Sequence, residues 1–197
     1  MSQRLFLFPD HLTLVLIGLP GSGKSSVGRQ LGRRLHLPFA DSDTQIEQRL
    51  DCSIRDYFER EGEASFRDVE ETVLADLVPG HGGVIATGGG SVLREANRHL
   101  LREHSHVIYL CSSPEDLYRR LRHDSKRPLL QVADPLGRLR ELHGVRDPLY
   151  RETAHDIVET GRPSINLLVG LIVAQLELAG IVVPPEPAVV PDAAAAP

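Results

Sequence analysis

The sequence contains little cysteine, no tryptophan and no long hydrophobic run. Its 197 residues include only two cysteines, Cys52 and Cys111. Two distant cysteines without a secretory signal exclude a small domain held together by disulfides. Residues 1–11 lack the apolar core of a secretory signal, and no stretch approaches the roughly 20 apolar residues that span a bilayer. We therefore expect a cytoplasmic chain that does not bind membranes.

An excess of positive charge is also missing. The formal net charge is −5, which excludes a general surface for polyanions, and we expect no nucleic-acid partner. A phosphate site must then be a local concentration of positive charge. Of the 22 basic residues, only Lys24 and Lys126 are lysines. A lysine retained in such an arginine-rich sequence indicates chemistry that arginine does not supply.

The length predicts one domain with a tail. Apolar runs of strand length alternate with amphipathic stretches, for example 63–78 and 114–123, and this alternation predicts an α/β fold with a parallel sheet. We expect the domain to span residues 12–180, after an N-terminal extension of residues 1–11. Residues 181–197 contain five prolines, four consecutive alanines and no basic residue, so we expect a disordered tail. The candidate strands are 12–17, 38–41, 83–87, 106–110 and 156–159.

The segment from Gly18 to Ser25 matches the pattern G-x-x-x-x-G-K-[ST] in full. Glycines let the backbone close around a phosphate with its N–H groups pointing inward, and the following helix directs its positive dipole at the same anion. The lysine of the pattern reaches the β- and γ-phosphates, and the final hydroxyl is a ligand of Mg²⁺. A buried strand precedes the pattern and an amphipathic helix follows it, as this mechanism requires. We expect ATP to be bound by Gly21, Ser22, Gly23, Lys24, Ser25 and Ser26.

An acidic pair, Asp41 and Asp43, follows the second candidate strand. In open α/β sheets, ligands bind beyond the carboxyl ends of the strands. One carboxylate there would hold the water shell of Mg²⁺, and the other would hold an acceptor hydroxyl. Capping of the helix that follows explains the same residues equally well.

Glycines and arginines supply further candidates. Three glycines, 88–90, follow another strand and suit either a substrate that approaches the backbone or a tight turn. Arg67, Arg127 and Arg146 lie near turns or helix ends, where arginine binds carboxylate or phosphate through two parallel hydrogen bonds. Position alone does not distinguish them from solvated surface arginines. Residues 124–137 are either a mobile lid that carries an arginine to the γ-phosphate or a passive connection.

Together these segments resemble the shikimate kinase family, from about Leu12 to Leu178. Several separate matches in the family's order are far more specific than any single one. The resemblance implies a three-layer sandwich of the P-loop NTP hydrolase type, with a five-stranded parallel sheet in the order 2-3-1-4-5. The matching pieces are Gly18–Ser25, Phe39–Asp43, Phe58–Arg67 followed by Glu70 and Glu71, Ala86–Ser91, Arg127–Leu130 and Arg146–Tyr150.

The resemblance implies transfer of the γ-phosphate of MgATP to the 3-hydroxyl of shikimate, on the pathway to aromatic amino acids. It implies that Asp43 binds hydroxyls of the acceptor and orients or deprotonates the attacking one. It also implies that Arg67 and Arg146 bind the carboxylate of the substrate and that Glu70 positions Arg67. The implied lining of the acceptor pocket consists of Gly88, Gly89, Gly90, Phe58 and Phe66.

On the nucleotide side, the resemblance makes Lys24 and Arg127 catalytic, the latter closing from the lid. It places Arg120 and Arg162 near adenine, and Asp41 in the magnesium shell through water. Ser26 stands where many relatives have threonine, a change that we expect to matter little. We expect a monomer whose partners are ATP and shikimate.

Two other functions fit parts of the pattern. A gluconate kinase also needs a P-loop and a carboxylate site, but the pieces at 88–90 and 146–150 fit it poorly. A regulatory module that only senses a ligand would be fused to a DNA-binding domain. Only 11 residues precede the first strand, so we do not expect such a domain here.

Overall fold

The computed structural model describes residues 12–122, 132–161 and 163–183, which form five strands and seven helices. The strands are β1 (Leu14–Ile17), β2 (Phe39–Asp41), β3 (Val84–Ala86), β4 (His106–Cys111) and β5 (Asp156–Glu159). The helices are α1 (Lys24–Leu35), α2 (Ser42–Leu50), α3 (Ile54–Leu77), α4 (Glu95–His104), α5 (Pro114–Leu121), α6 (Pro135–Thr153) and α7 (Ile165–Leu178).

The strands form one parallel sheet in the order β2-β3-β1-β4-β5. This confirms the predicted order. β1 lies at the centre, and each of its residues is buried, as its unbroken apolar run predicts for a strand covered on both faces. The carboxyl ends of β1, β2 and β3 meet at one edge of the sheet, where the segments Gly18–Lys24, Asp41–Asp43 and Gly88–Gly90 follow them.

Two apolar clusters, one on each face of the sheet, make up the core. On one face, Leu31 of α1 and Leu168 and Ile172 of α7 pack over Leu14 and Leu16 of β1. On the other face, residues of α3, α4, α5 and α6 pack over Val15 and Ile17. Alternate residues of β1 therefore serve opposite layers, which produces the predicted three-layer sandwich.

Helix α3 begins earlier than the amphipathic stretch predicted. It starts at Ile54, where the Ser53 side chain accepts a hydrogen bond from the backbone N–H of Asp56. At Gly62 the backbone leaves helical geometry, with φ 81° and ψ 174°. This conformation is open to glycine and strained for other residues. The two parts of α3 are thus set at an angle, and Phe58 and Phe66 lie on either side of the break.

Packing against α7 continues for a few residues beyond residue 180, where we expected the tail to begin. Gly180 adopts a left-handed conformation with φ 69°, which ends α7 and turns the chain back. The N–H groups of Ile181 and Val182 then donate to the carbonyl of Leu176, and Val182 is only 1% exposed within the core. The packed domain therefore extends through Val182. Residues 1–11 and 184–197 lie outside the described residues.

Candidate active site

The phosphate-binding pattern forms the loop between β1 and α1. Gly23 caps α1 in a left-handed conformation, with φ 96°, and this geometry explains why glycine precedes the lysine. Lys24 is only 8% exposed. Its Nζ donates to the carbonyls of Gly18 at 2.8 Å and Leu19 at 3.0 Å. The loop thus encloses the ammonium group at the start of α1.

Ser22 adds a polar group inside this loop. It is 1% exposed, and its Oγ has no hydrogen-bond partner among the described residues. A buried hydroxyl without a partner is costly unless a ligand completes it. An oxyanion held by the loop would do so.

The loop opens onto a cavity of about 400 Å³. This cavity brings five of the six predicted loop residues, all except Ser22, together with Asp43 from α2 and Gly89 from the glycine run. Three of its lining residues, Pro20, Thr87 and Leu121, were not predicted as site residues; Pro20 and Thr87 lie inside the segments that resemble the family, and Leu121 lies outside all of them. The lining consists of Pro20, Gly21, Gly23, Lys24, Ser25, Ser26, Asp43, Thr87, Gly89 and Leu121.

Asp41 caps α2 and also contacts the phosphate loop. Its Oδ2 accepts a hydrogen bond from Ser25 Oγ at 2.6 Å. Its Oδ1 caps α2 by accepting from the backbone N–H of Asp43 at 3.1 Å. Ser42 is fully buried and accepts from the N–H of Gly88 at 3.0 Å. The acidic segment is therefore tied both to the phosphate loop and to the glycine run.

Asp43 is half-buried in the cavity wall. Burial, followed by the negative charge of Asp41, raises the pKa of the Asp43 carboxyl to about 6, and Lys24 opposes this rise. A carboxyl tuned in this way is mostly ionised above pH 7, yet it is a better proton acceptor than an ordinary aspartate. The carboxylate of Asp43 can thus accept a proton from a hydroxyl group placed in the cavity.

The glycine run has no room for side chains on its inner surface. A Cβ atom at Gly88 would lie 2.7 Å from Asp43 Oδ1, and one at Gly89 would lie 2.7 Å from Pro20 Cδ. At Gly90 it would collide with the Arg67 guanidinium. The run also forms a turn, since the N–H of Ser91 donates to the Gly88 carbonyl at 3.2 Å. The turn is therefore present, and the approach of a substrate to these glycines remains a prediction.

Arg67 reaches the glycine run from α3. Its Nη1 lies 2.6 Å from Oε2 of Glu70, which is 1% exposed, and its Nη2 lies 2.9 Å from Glu63. Burial raises the pKa of the Glu70 carboxyl, and the guanidinium opposes that rise. A buried carboxylate with one arginine partner holds that arginine firmly, because separating the pair would leave a buried charge.

An aromatic pair forms the apolar side of this region. The rings of Phe58 and Phe66 lie 4.4 Å apart between centroids. The Arg67 guanidinium lies over them, 5.9 Å and 5.2 Å from the respective centroids. Across the break at Gly62, the hydroxyls of Tyr57 and Ser65 are hydrogen-bonded at 3.0 Å.

Arg146 reaches the same glycine run from α6. Its Nη1 donates to the Gly89 carbonyl at 2.9 Å, so the structure brings two of the three predicted arginines together. Tyr150 also donates to this carbonyl, at 2.5 Å. Sequence reasoning did not single out Tyr150, although it lies four residues after Arg146 and therefore on the same face of a helix.

Other predicted nucleotide residues lie apart from the cavity or outside the described residues. Arg120 of α5 donates to the carbonyls of Thr160 and Gly161, which join α5 to the segment after β5. Arg127 and Arg162 fall outside the described residues. So do residues 124–131 of the predicted lid, while Pro135–Gly137 form the first turn of α6, capped by Asp134. That last part of the predicted lid is therefore helical.

The acidic and imidazole groups do not build a metal site by themselves. Within residues 12–122, 132–161 and 163–183, no three His, Cys, Asp or Glu side chains are grouped so that they could hold a metal ion. Ser25 and Asp41 instead offer hard oxygen atoms of the kind that Mg²⁺ accepts beside phosphate and water. In the same described part of the chain, every helix is too short or too polar to cross a bilayer.

The sequence model of the shikimate kinase family matches residues 20–177, which is most of the chain. The chain belongs to the shikimate kinase family. A shikimate kinase of Paracidovorax citrulli is 58% identical over 180 residues, covering 90% of this chain and 98% of that protein. One from Ralstonia nicotianae is 56% identical over 169 residues, covering 86% and 89%. The predicted resemblance is therefore confirmed.

Solved structures of the shikimate kinase family agree with this assignment. The structure of a shikimate kinase from Acinetobacter baumannii in complex with shikimate has a TM-score of 0.81 and 41% identity, covering 87% of this chain and 96% of that one. A gluconokinase from Sinorhizobium meliloti has a TM-score of 0.55 and 19% identity. The latter likeness concerns the fold alone.

Proposed function

We propose that the chain is an ATP-dependent shikimate kinase. It transfers the γ-phosphate of MgATP to the 3-hydroxyl of shikimate and yields ADP and 3-phosphoshikimate, a step toward chorismate and the aromatic amino acids. One observation carries the proposal: the cavity of the phosphate loop contains Asp43, and Arg67 and Arg146 converge on the glycine run beside it. A phosphate donor, a proton acceptor and an organic-acid site thus lie side by side.

On the donor side, the loop amides and the N-terminus of α1 attract the phosphates of ATP. The carbonyls of Gly18 and Leu19 hold the ammonium group of Lys24 inside the loop, where it neutralises charge on the β- and γ-phosphates. The buried Ser22 hydroxyl gains a phosphate oxygen as its partner. Because these donors are already in place, little reorganisation accompanies binding.

The paired oxygens of Ser25 and Asp41 suit magnesium. Ser25 would be a direct ligand, and Asp41 would hold a water of the ion's shell. The ion would offset the negative charge of the phosphates. The hydrogen bond between the two residues, at 2.6 Å, keeps both groups in place at the start of α1.

On the acceptor side, Arg67 and Arg146 would bind the carboxylate of shikimate with paired hydrogen bonds. Phe58 and Phe66 would pack against its ring. Asp43 would orient the attacking hydroxyl and take its proton. The new bond joins that oxygen to the γ-phosphorus, while the bond between this phosphorus and the bridging oxygen breaks and ADP leaves.

The remaining nucleotide contacts are proposals by family resemblance. Arg120 is tied to the segment after β5, and with Arg162 it would flank adenine. Arg127 would close from a lid over the phosphates. On this assignment all three contact the nucleotide, so their substitution should affect ATP rather than shikimate.

A coupled assay of ADP release tests the function directly. Purified enzyme with MgATP should turn over shikimate, and should turn over gluconate and a nucleoside monophosphate at least a hundredfold more slowly. Faster turnover of gluconate would favour the gluconate kinase alternative. Binding of shikimate by calorimetry without any ADP release would favour a module that only senses its ligand.

We also propose that the enzyme acts as a cytoplasmic monomer. Both cysteines are free thiols, as in a reducing compartment. Light scattering coupled to gel filtration should return a mass near 21.7 kDa. Twice that mass would refute the monomer. A fluorescent fusion of the chain that is found outside the cytoplasm would refute the location.

A further inference from the structure

Two neighbouring side chains of α6 donate to the same carbonyl. Arg146 Nη1 lies 2.9 Å from the Gly89 oxygen, and the Tyr150 hydroxyl lies 2.5 Å from it. Residues four positions apart share one face of a helix, so both donors approach the glycine run from one side. Arg146 has a role in the proposed function, whereas Tyr150 has none.

The ring of Tyr150 is held in one position. It is fully buried and stacks on Tyr109 of β4 with a centroid distance of 4.9 Å. The Tyr109 hydroxyl donates to Asp147 at 2.9 Å, and Asp147 also accepts from Arg151 at 2.8 Å. Burial raises the pKa of the Tyr150 phenol, so its hydroxyl keeps the proton that it donates.

The orientation of the Gly89 carbonyl determines that of the next amide. In a planar trans peptide, the C=O and the following N–H point in opposite directions. Since the Gly89 carbonyl points toward α6, the N–H of Gly90 points away from it. No acceptor among the described residues takes a hydrogen bond from this N–H. A ligand bound against the glycine run would supply the missing acceptor.

We infer that Tyr150 is a positioning residue for the acceptor substrate: its hydroxyl holds the Gly89–Gly90 peptide and, through the shared carbonyl, the Arg146 guanidinium in the orientation that binds shikimate. The inference rests on the proposed function. The flanking contacts make this orientation consequential, because Gly88 lies against Asp43 and Gly90 against Arg67. A rotated peptide would disturb both acceptor-binding groups. Of the phosphate loop, Pro20 also lies against Gly89, but Lys24 is held by the carbonyls of Gly18 and Leu19, so we expect the ATP-binding groups to keep their geometry.

Tyr150→Phe tests the inference, because it removes one hydroxyl and keeps the stacked ring. We expect the KM for shikimate to rise about 5- to 15-fold, the size of a lost hydrogen bond to a buried carbonyl. The KM for ATP should stay within twofold of wild type, and kcat should fall by less than threefold. Calorimetric titration with shikimate should show the same loss of affinity in the absence of turnover.

Tyr109→Phe is a matched control. It removes an equally buried hydroxyl from the same aromatic pair, but that hydroxyl is bonded to Asp147 and not to the glycine run. We expect a similar loss of thermal stability in the two variants, with the KM for shikimate changed less than twofold in Tyr109→Phe. An equal rise in both variants would mean that loosened aromatic packing is responsible, and would overturn the inference.

The wild-type enzyme separates this inference from the function on which it rests. If wild type neither binds nor phosphorylates shikimate, both are overturned. If wild type is active and Tyr150→Phe keeps a wild-type KM and shikimate affinity, only the positioning role is overturned. In a double-mutant cycle with Arg146→Lys, the two effects should be non-additive by at least threefold, because both donors act on one carbonyl.

Discussion

Asp43 should lower the stability of the folded protein at neutral pH. Its pKa is about 6 in the folded chain, against an ordinary value of 3.8, because burial and the Asp41 charge disfavour the ionised form. A carboxyl with a raised folded-state pKa is harmless below its unfolded pKa and costs stability progressively as pH rises between the two values. Above pH 6 the whole cost is present. Asp43→Asn, which resembles the neutral carboxyl, should remove it.

The magnitude follows from the shift. Two pKa units correspond to about 3 kcal/mol as an upper bound, and solvent at the half-buried carboxyl reduces this to about 1–2 kcal/mol. For a chain of this size, Asp43→Asn should then raise the Tm at pH 7.5 by about 3–6 °C. At pH 4.5, which lies between the unfolded and folded pKa values, only about a third of this gain in stability should remain. Turnover should collapse in the same variant, by about 10²–10⁴.

Differential scanning calorimetry of the protein without ATP or Mg²⁺ measures this effect. Asp76→Asn is a suitable control, since it changes an exposed aspartate of α3 that pairs with Arg49 and should move the Tm by less than about 2 °C. An unchanged or lower Tm for Asp43→Asn at pH 7.5 would refute the reasoning. So would a gain that is equally large at pH 4.5.

Three further substitutions probe the acceptor side. Arg146→Ala should lower kcat/KM for shikimate about 30- to 1000-fold with little change in ATP affinity; equal loss of ATP binding would contradict its role. Glu70→Gln weakens the hold on Arg67 and should raise the KM for shikimate about tenfold, as read from initial rates; an unchanged KM would show that Arg67 needs no partner. Gly90→Ala forces Arg67 aside and should cost at least tenfold in kcat/KM, whereas Gly170→Ala, in α7 with no described atom of the surrounding structure within 4 Å of the added methyl group, should leave kinetics unchanged.

The donor half of the site was predictable from the sequence because its pattern is local. Eight consecutive residues form the loop, cap the helix and provide the lysine and hydroxyl, so spacing alone determines their geometry. The order of the strands was implied by resemblance to a family and is confirmed by the sheet. The acidic pair was predicted at the correct edge of the sheet, but its two readings remained open. The structure confirms that Asp41 caps α2 and places it against Ser25, while its place in a magnesium shell remains a prediction.

No local sequence pattern indicated which distant segments contact each other. Val182 belongs to a proline-rich end by composition, yet it is buried because Gly180 turns the chain back onto α7. The break at Gly62 inside α3 is likewise absent from the periodicity. Both depend on the backbone conformation of one glycine, which composition does not reveal.

The chain by itself therefore determined the fold class and the phosphate loop, and the family's shared segments selected Arg67 and Arg146 as candidates for binding an anion, since these depend on short-range patterns and on family resemblance. Tertiary structure alone decided how Arg67, Arg146 and Tyr150 meet at the glycine run. Those residues come from α3 and α6, and only the packing of these helices over the sheet places them beside residues 88–90. The raised pKa of Asp43 has the same origin, because burial and the proximity of Asp41 are properties of the folded chain.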